Sequence, residues 1–318
     1  MGANLDFETV FSKKLAKKLF QKTISKFVSN NNSIVTISDI HILESIGRRA
    51  PKNESYLVEF VLHKKGVLSK CNKIVAKQPS PNQKFYSHLK FNEKYFSKIL
   101  SIKIPEIKYI DFNSGFIFRD FISGKSIDVI LDQILLQKYI QDWNLILFER
   151  IGQGLAELNY NLNIIHGDSR TSNWIFDEKE NIIYLIDWDV AGTGDPAYDL
   201  SKLVYSIGRK FSKLIDISDF ETRLKLINIF DQLCSAIISG YSRVDLDKLT
   251  IRKFSKYWIH YIFSVSPQIH KIIFYHGNHS TRKFRIIDKI LTAFPLKSKF
   301  KKPFKLTNKK INQLIHKI

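Results

Sequence analysis

Acidic and amide side chains cluster at two neighbouring points of the sequence, in HGDSRTSN (166–173) and in LIDWD (185–189). Asp168 precedes Asn173 by five residues, and Asp187 follows Asn173 by fourteen. Phosphoryl transfer from a nucleotide requires a carboxylate that accepts the hydroxyl proton of the acceptor, metal ions on the phosphates, and positive charge on the transferring group. This spacing predicts Asp168 as the base of such a transfer.

The same two stretches offer charge and metal ligands for this reaction. Arg170, two residues after Asp168, is placed to reach the transferring phosphate. Because Mg²⁺ takes hard oxygen ligands and keeps several waters, the amide of Asn173 and the carboxylate of Asp187 are a sufficient protein contribution. Asp189 is interpreted either as a second metal ligand or as a solvated neighbour.

Three blocks in order, HGDSRTSN, LIDWD and GDPAYDL, resemble the aminoglycoside phosphotransferase and choline kinase group of protein-kinase-like enzymes. The family pattern is H-G-D-x-x-x-x-N, an apolar strand ending in I-D-[WF]-[DE], and G-D-P-x-x-D. The matching positions are His166, Gly167, Asp168, Asn173, Asp187, Trp188, Asp189, Gly194, Asp195, Pro196 and Asp199. The resemblance implies ATP and Mg²⁺ as cofactors and a two-lobed α+β fold, with a small antiparallel-sheet N-lobe carrying one helix and a larger, mainly helical C-lobe.

The resemblance also implies nucleotide contacts upstream of the three blocks. Such kinases carry a strand lysine that holds the α- and β-phosphates and pairs with a helix glutamate, which here implies Lys77 and, sixteen residues later, Glu93. The family's hinge, whose backbone would receive adenine, falls at Arg119–Phe121. The phosphate-covering loop departs from the kinase pattern, since it has one glycine, Gly47, and no G-x-G-x-x-G. Backbone amides or Ser55 are therefore expected to serve there.

Apolar spacing predicts the elements that position these residues. Helical spacing covers 5–28, 82–100, 126–137 and 144–161, and helices dominate from about residue 198. Strand patterns cover 41–46, 56–62, 72–78, 107–112, 115–121, 173–176 and 182–187. The predicted domains are an N-terminal amphipathic helix (1–30), a nucleotide-binding N-lobe (31–121), and a catalytic and acceptor-binding helical C-lobe with a basic tail (122–318).

Positive charge is concentrated toward the C-terminal end of the chain. The net charge is +20, and residues 201–318 hold 24 Lys and Arg against 7 Asp and Glu. A field of one sign attracts anionic partners and repels cationic ones. We therefore expect a neutral or anionic acceptor, either a hydroxyl-bearing small molecule or the Ser or Thr of an acidic precursor peptide. Composition drift toward lysine is the alternative explanation of the charge.

Two further functional hypotheses stay open. The first is a catalytically inactive kinase-like binding module that uses the basic face for a nucleic acid, which is a partner that we do not favour, or for a membrane surface. The second is a kinase tethered to an acidic partner through residues 297–318. No feature of the sequence specifies an oligomeric state.

The remaining polar and sulfur-containing residues have structural interpretations. His166 is expected to be packed and hydrogen-bonded, and Asp199 to accept backbone N–H bonds or to cap a helix at 197–211. Cys71 and Cys234 are expected to be buried free thiols in a reducing cytoplasm, which predicts a cytoplasmic location. No apolar run of the sequence is long enough to span a bilayer.

Overall fold

The computed structural model describes residues 13–28, 34–43, 55–63, 70–77, 99–112, 115–215 and 218–244. Two compact units divide these residues. The first unit holds the described residues up to 77 and those from 105 to 123, and the second holds 99–104 and the described residues from 124 onward. The domain boundaries at residues 30 and 121 stay a prediction.

A five-stranded antiparallel sheet forms the first unit, in the order β1-β2-β3-β5-β4. Its strands are β1 (Ile34–Leu43), β2 (Ser55–His63), β3 (Lys70–Lys77), β4 (Ile107–Asp111) and β5 (Phe116–Asp120). Helix α1 (Lys13–Val28) packs against this sheet through the fully buried ring of Phe20. That ring lies 5.1 to 5.7 Å, centroid to centroid, from the rings of Tyr56, Phe116 and Phe118.

Strand β1 corrects one sequence prediction, because it begins at Ile34 and not at residue 41. Val35, Ile37 and Ile40 are its buried side chains. A shift in the pairing register between Ile37 and Asp39 breaks the alternation of apolar and polar residues. This irregularity hides the first half of the strand from a search for period-two patterns. Residues 44–46 and 82–98 lie outside the described residues, and residues 99–100, the described end of the helix predicted at 82–100, are not helical.

The second unit is mainly helical and contains a small three-stranded sheet. Its helices are α2 (Ile127–Gln137), α3 (Asp142–Asn161), α4 (Pro196–Ile215) and α5 (Phe220–Ser242). Its strands are β6 (Lys125–Ser126), β7 (Trp174–Asp177) and β8 (Ile182–Leu185), in the order β6-β7-β8. The predicted α+β class, with an antiparallel N-terminal sheet and a mainly helical C-terminal part, is confirmed for the described residues.

Two glycines allow helices α3 and α5 to cross at very short distance. A Cβ added to Gly152 on α3 would lie 2.0 Å from the carbonyl oxygen of Ile237. A Cβ added to Gly240 on α5 would lie 1.8 Å from the carbonyl oxygen of Glu149. Because both obstacles are backbone atoms of the facing helix, the crossing requires glycine at both positions.

A buried carboxylate fastens residues 99–104 to the helical unit. Glu157 on α3 accepts the backbone N–H groups of Leu100 and Ser101, at 2.8 and 3.0 Å. Lys103 then pairs with β8, since its N–H donates to the carbonyl oxygen of Ile183 at 2.7 Å. These contacts explain why the segment belongs to the second unit although residues 105–123, which follow it in sequence, belong to the first.

The two cysteines differ in exposure. Cys234 on α5 is a buried free thiol, as predicted, and burial raises its pKa well above the ordinary value. Cys71 is exposed, so the prediction of a buried thiol was wrong there. It lies near the start of β3, before the run of buried residues that begins at Ile74.

None of the helices that the structure describes combines the length and the apolar composition needed to cross a bilayer.

Candidate active site

His166 is buried at the start of the 166–173 loop. Its Nε2 lies 2.9 Å from the carbonyl oxygen of Ile186, and its Nδ1 accepts the backbone N–H of Asp168 at 3.2 Å. Its ring meets Trp188 edge to face, with centroids 4.8 Å apart. Burial lowers the pKa of His166, and a neutral ring that donates from Nε2 satisfies both contacts. His166 is therefore packed and hydrogen-bonded, as the sequence predicts.

Asp199, on helix α4, holds the backbone at the start of the same loop. Its carboxylate accepts the N–H groups of His166 and Gly167, at 2.6 and 2.8 Å, and the side-chain amide of Asn159 at 3.2 Å. Burial raises the pKa of Asp199, and the N–H donors oppose that rise. Gly167 has φ +76°, and a Cβ there would lie 2.6 Å from the carbonyl oxygen of Val190. The prediction that Asp199 accepts backbone N–H bonds is confirmed.

The predicted base, Asp168, lies at the centre of a network of donors. Its Oδ2 is 2.7 Å from a terminal nitrogen of Arg170 and 3.2 Å from the amide nitrogen of Asn173. Its Oδ1 is 2.8 Å from the ammonium of Lys202, on α4. The Asp168 side chain keeps 15% of its surface exposed. The Asp168 carboxylate is thus fixed on both oxygens and is still partly open to solvent.

Arg170 retains one unused donor in this arrangement. Its Nε is buried and has no hydrogen-bond partner among the described residues. Leaving a buried charged donor unpaired is costly.

Asn173 and Asp187, the predicted metal ligands, are brought together through the backbone. Asn173 is buried and closes the short 3₁₀ turn Thr171–Asn173. Its carbonyl oxygen accepts the N–H of Ile186 at 2.9 Å, which places Asp187 one residue beyond that bond. Asp187 has φ +68°, which turns the chain sharply after β8.

The donor set at these residues fits Mg²⁺. One amide oxygen and one carboxylate are hard ligands, and Mg²⁺ completes its octahedron with waters and substrate phosphates. Within the described part of the chain, no three His, Cys, Asp or Glu side chains form a cluster that holds a metal alone. Asp189 is buried, with 8% of its surface exposed, so the solvated alternative for this residue was wrong.

The first unit holds the other predicted site residues. Lys77 ends β3, is 6% exposed, and lies opposite Ser55 in the pairing of β2 with β3. Arg119 lies within β5 and is paired with both β3 and β4. Phe121 follows that strand, with the Lys73 ammonium 5.7 Å from its ring centroid. Gly47 and Glu93 lie outside the described residues.

Three further residues act on the loop and were not predicted from the sequence. Lys202 contacts Asp168, and it follows Asp199 by three residues on α4, so helical spacing could have placed it on the same face. Asn159 and Tyr241 extend the Asp199 network, since the Tyr241 hydroxyl lies 3.0 Å from Asn159 Oδ1. No local signal relates α3 to α5 at these two positions.

Comparison with curated proteins gives low-identity relatives. An EKC/KEOPS complex subunit, bud32, of Dictyostelium discoideum is 23% identical over 249 residues, covering 77% of this chain and 92% of that protein. An EKC/KEOPS complex subunit of Schizosaccharomyces pombe is 24% identical over 158 residues, covering 49% of this chain and 61% of that protein.

Among solved structures, two similar chains belong to kinases. The Mycobacterium tuberculosis PknI kinase domain has a TM-score of 0.39 and 14% identity, covering 66% of this chain and 94% of that chain. A Plasmodium vivax ethanolamine kinase has a TM-score of 0.43 and 14% identity, covering 92% of this chain and 90% of that chain.

The three motifs lie in the part of the chain that matches a family model. The model of the phosphotransferase enzyme family matches residues 129–222. This range contains the 166–173 loop, the strand that ends in LIDWD, and GDPAYDL. The resemblance predicted from the three blocks is thus confirmed over residues 129–222, the part of the chain that matches the phosphotransferase enzyme family.

Proposed function

We propose that this protein transfers the γ-phosphoryl group of ATP to the hydroxyl of an acceptor, with Mg²⁺ as the metal. The observation that carries the proposal is the carboxylate of Asp168, held by Arg170 and Asn173 at 2.7 and 3.2 Å, in a loop fastened to the strand that leads into Asp187. The match of residues 129–222 to the phosphotransferase enzyme family supports phosphotransferase activity.

Each residue of the loop has one role in the proposed reaction. Asp168 orients the acceptor hydroxyl and receives its proton as the oxygen attacks the γ-phosphorus. Arg170, whose side chain is 43% exposed, binds the transferring phosphoryl group. Asn173 and Asp187 would hold Mg²⁺, with Asp189 as a further candidate. When bound, the metal would neutralise phosphate charge.

Nucleotide binding in the first unit is proposed on the family pattern. Lys77 would bind the α- and β-phosphates and pair with Glu93, while Gly47 and Ser55 would lie along the phosphate-covering loop. The pairing of Ser55 opposite Lys77 supports a common phosphate site for these two residues. The backbone from Arg119 to Phe121 would bind adenine.

The acceptor is proposed to be a neutral or anionic small molecule. The second candidate is the Ser or Thr of a protein or peptide, and the observation that favours it is the similarity to EKC/KEOPS complex subunits. Those relatives carry the word complex in their names, so this candidate also predicts a protein partner. The hydroxyl of either acceptor would attack the γ-phosphorus and give its proton to Asp168.

Transfer of labelled phosphate tests the proposal directly. Purified protein, γ-labelled ATP and Mg²⁺ are incubated with a lysate of the source cell, which is then separated into small molecules and peptides. We expect label in one fraction, dependence on Mg²⁺, and loss of label in Asp187→Ala. Label in the small-molecule fraction selects the first candidate, and label in peptides selects the second.

The inactive binding module is the rival explanation and gives a different result. It predicts no label in either fraction, together with binding to nucleic acid that weakens steeply as salt rises. That pair of results, obtained with protein that still binds nucleotide, would overturn the proposed transfer.

A further inference from the structure

Lys202 is an ion-pair partner of the proposed base that belongs to none of the three sequence blocks. It lies on α4, and its ammonium is 2.8 Å from Oδ1 of Asp168 and 3.0 Å from the carbonyl oxygen of Gly167. It also lies 5.5 Å from the ring centroid of Tyr198. The Lys202 side chain keeps 23% of its surface exposed. A carboxylate, a carbonyl and a ring thus hold the ammonium at one position beside the base.

The two oxygens of Asp168 face different groups. Oδ2 bonds Arg170 and Asn173, the residues proposed for the transferring phosphate and the metal. Oδ1 bonds Lys202 instead. In-line attack requires the acceptor hydroxyl to lie between the Asp168 carboxylate and the γ-phosphorus, opposite the leaving oxygen. Because Oδ2 already accepts two donors from the described residues and Oδ1 only one, the acceptor hydroxyl is placed on Oδ1. Its neighbouring groups therefore lie within reach of the Lys202 ammonium.

We propose that Lys202 is a specificity-determining residue that selects acceptors with a phosphate or carboxylate group close to the reacting hydroxyl. The inference rests on the proposed function and deepens it by naming the charge of the acceptor. An ammonium has three donors, of which Asp168 and Gly167 accept two, and an anionic group of the acceptor would take the third. Conversely, a cationic acceptor bound at the Asp168 carboxylate would be repelled by the positive charges of Lys202 and Arg170.

A matched series of three-carbon diols and triols tests this charge selection. The probes are glycerol 3-phosphate, glycerate, neutral glycerol and cationic 3-amino-1,2-propanediol, each titrated into the full chain by calorimetry with and without MgADP. We expect the two anions to bind at least about tenfold more tightly than glycerol, the size of one charge-assisted hydrogen bond. Comparing phosphate with carboxylate identifies the preferred anion.

Three variants assign the selection to Lys202. Lys202→Met should reduce anion affinity to the level of glycerol, and Lys202→Arg should retain most of it. Lys210→Met is the matched control, because Lys210 lies on the same helix, is 22% exposed, and pairs with Asp132 at 2.7 Å. Its anion affinity should equal that of the wild type.

The possible outcomes separate this inference from the proposed function. Equal binding of anions and the amine, absence of anion binding, or unchanged anion affinity in Lys202→Met would each overturn the role of Lys202. Anion binding that depends on Lys202 in a protein that binds no MgADP would support the anion site and refute the nucleotide chemistry.

Discussion

At the scale of single residues, His166 joins the loop to the end of β8. Its two ring nitrogens contact the backbone of Ile186 and of Asp168, and burial lowers its pKa. The folded state therefore resists protonation of His166, whereas the unfolded state takes up a proton near the ordinary value of 6.5. Stability from this residue is present above pH 6.5 and is lost as the pH falls below it.

The His166 prediction concerns this loss between pH 7.5 and 5.5. We expect His166→Gln to lower the unfolding free energy at both pH values. The decrease in unfolding free energy from pH 7.5 to 5.5 should be about 1 kcal/mol smaller in the variant than in the wild type, because the variant lacks the proton uptake of His166 on unfolding. Urea unfolding at the two pH values measures the difference. An equal decrease in wild type and variant would contradict the buried neutral ring.

The candidate site residues of the 166–173 loop could be identified from the sequence, because the three blocks fix their order and spacing. The positions of Asp168, Asn173 and Asp187 in loop and strand end follow the sequence pattern closely. Helical spacing could place Lys202 on the same face of α4 as Asp199, but its contact with Asp168 depends on how α4 packs against the loop. The burial of Asp189 likewise depends on tertiary packing and not on its neighbours in sequence.

At the scale of elements, the crossing of α3 and α5 leaves no space for a side chain at Gly152. We expect Gly152→Ala to lower the unfolding free energy by about 1–3 kcal/mol, because overpacking against a backbone carbonyl exceeds the gain in helix propensity. Denaturant unfolding measures it. Gly192→Ala is the control, since a Cβ there meets nothing within 4 Å, and a similar loss in both variants would contradict the account.

A buried chain of hydrogen bonds connects α5 to the loop through Tyr241, Asn159 and Asp199. Burial raises the pKa of Tyr241, so its hydroxyl stays protonated and donates to Asn159. This contact fixes the orientation of the Asn159 amide, whose nitrogen then donates to Asp199 and to Ile164. The α5 helix thereby supports the backbone of the loop from a distance.

Tyr241→Phe removes only the hydroxyl of this chain. We expect an unfolding free energy lower by about 1–3 kcal/mol, because the Asn159 oxygen loses its buried partner, and faster amide hydrogen exchange at Gly167. Exchange measured by NMR reports the local effect. Tyr205→Phe, at another buried tyrosine, should leave exchange at Gly167 unchanged, and an equal response in both variants would refute the connection.

At the scale of the whole molecule, strong periodicity made most helices and strands predictable. Helices at 126–137 and 144–161 were predicted close to α2 and α3, and six of the strands fall near their predicted places. The early start of β1 was hidden by its irregular register. The membership of residues 99–104 in the helical unit was not predictable either, because it depends on long-range bonds to Glu157 and β8.

Charge is also a property of the whole chain. The excess of Lys and Arg in residues 201–318 is unambiguous in the sequence, and Lys202 supplies one described place where such a charge meets the proposed site. A positive field over this part of the chain would favour anionic acceptors at long range, and Lys202 would select them on contact.

The most direct test of the proposed transfer is the effect of Asp168→Asn on two quantities in one preparation. Phosphate transfer from γ-labelled ATP should fall at least about hundredfold, because the base is lost, while MgADP affinity should remain that of the wild type. Asp177→Asn is the control, because it makes the same change at a carboxylate that accepts the N–H of Lys179 at 3.0 Å. Its phosphate transfer and its MgADP affinity should both equal those of the wild type. Transfer by Asp168→Asn at the wild-type rate would contradict the role of this carboxylate and with it the proposed mechanism.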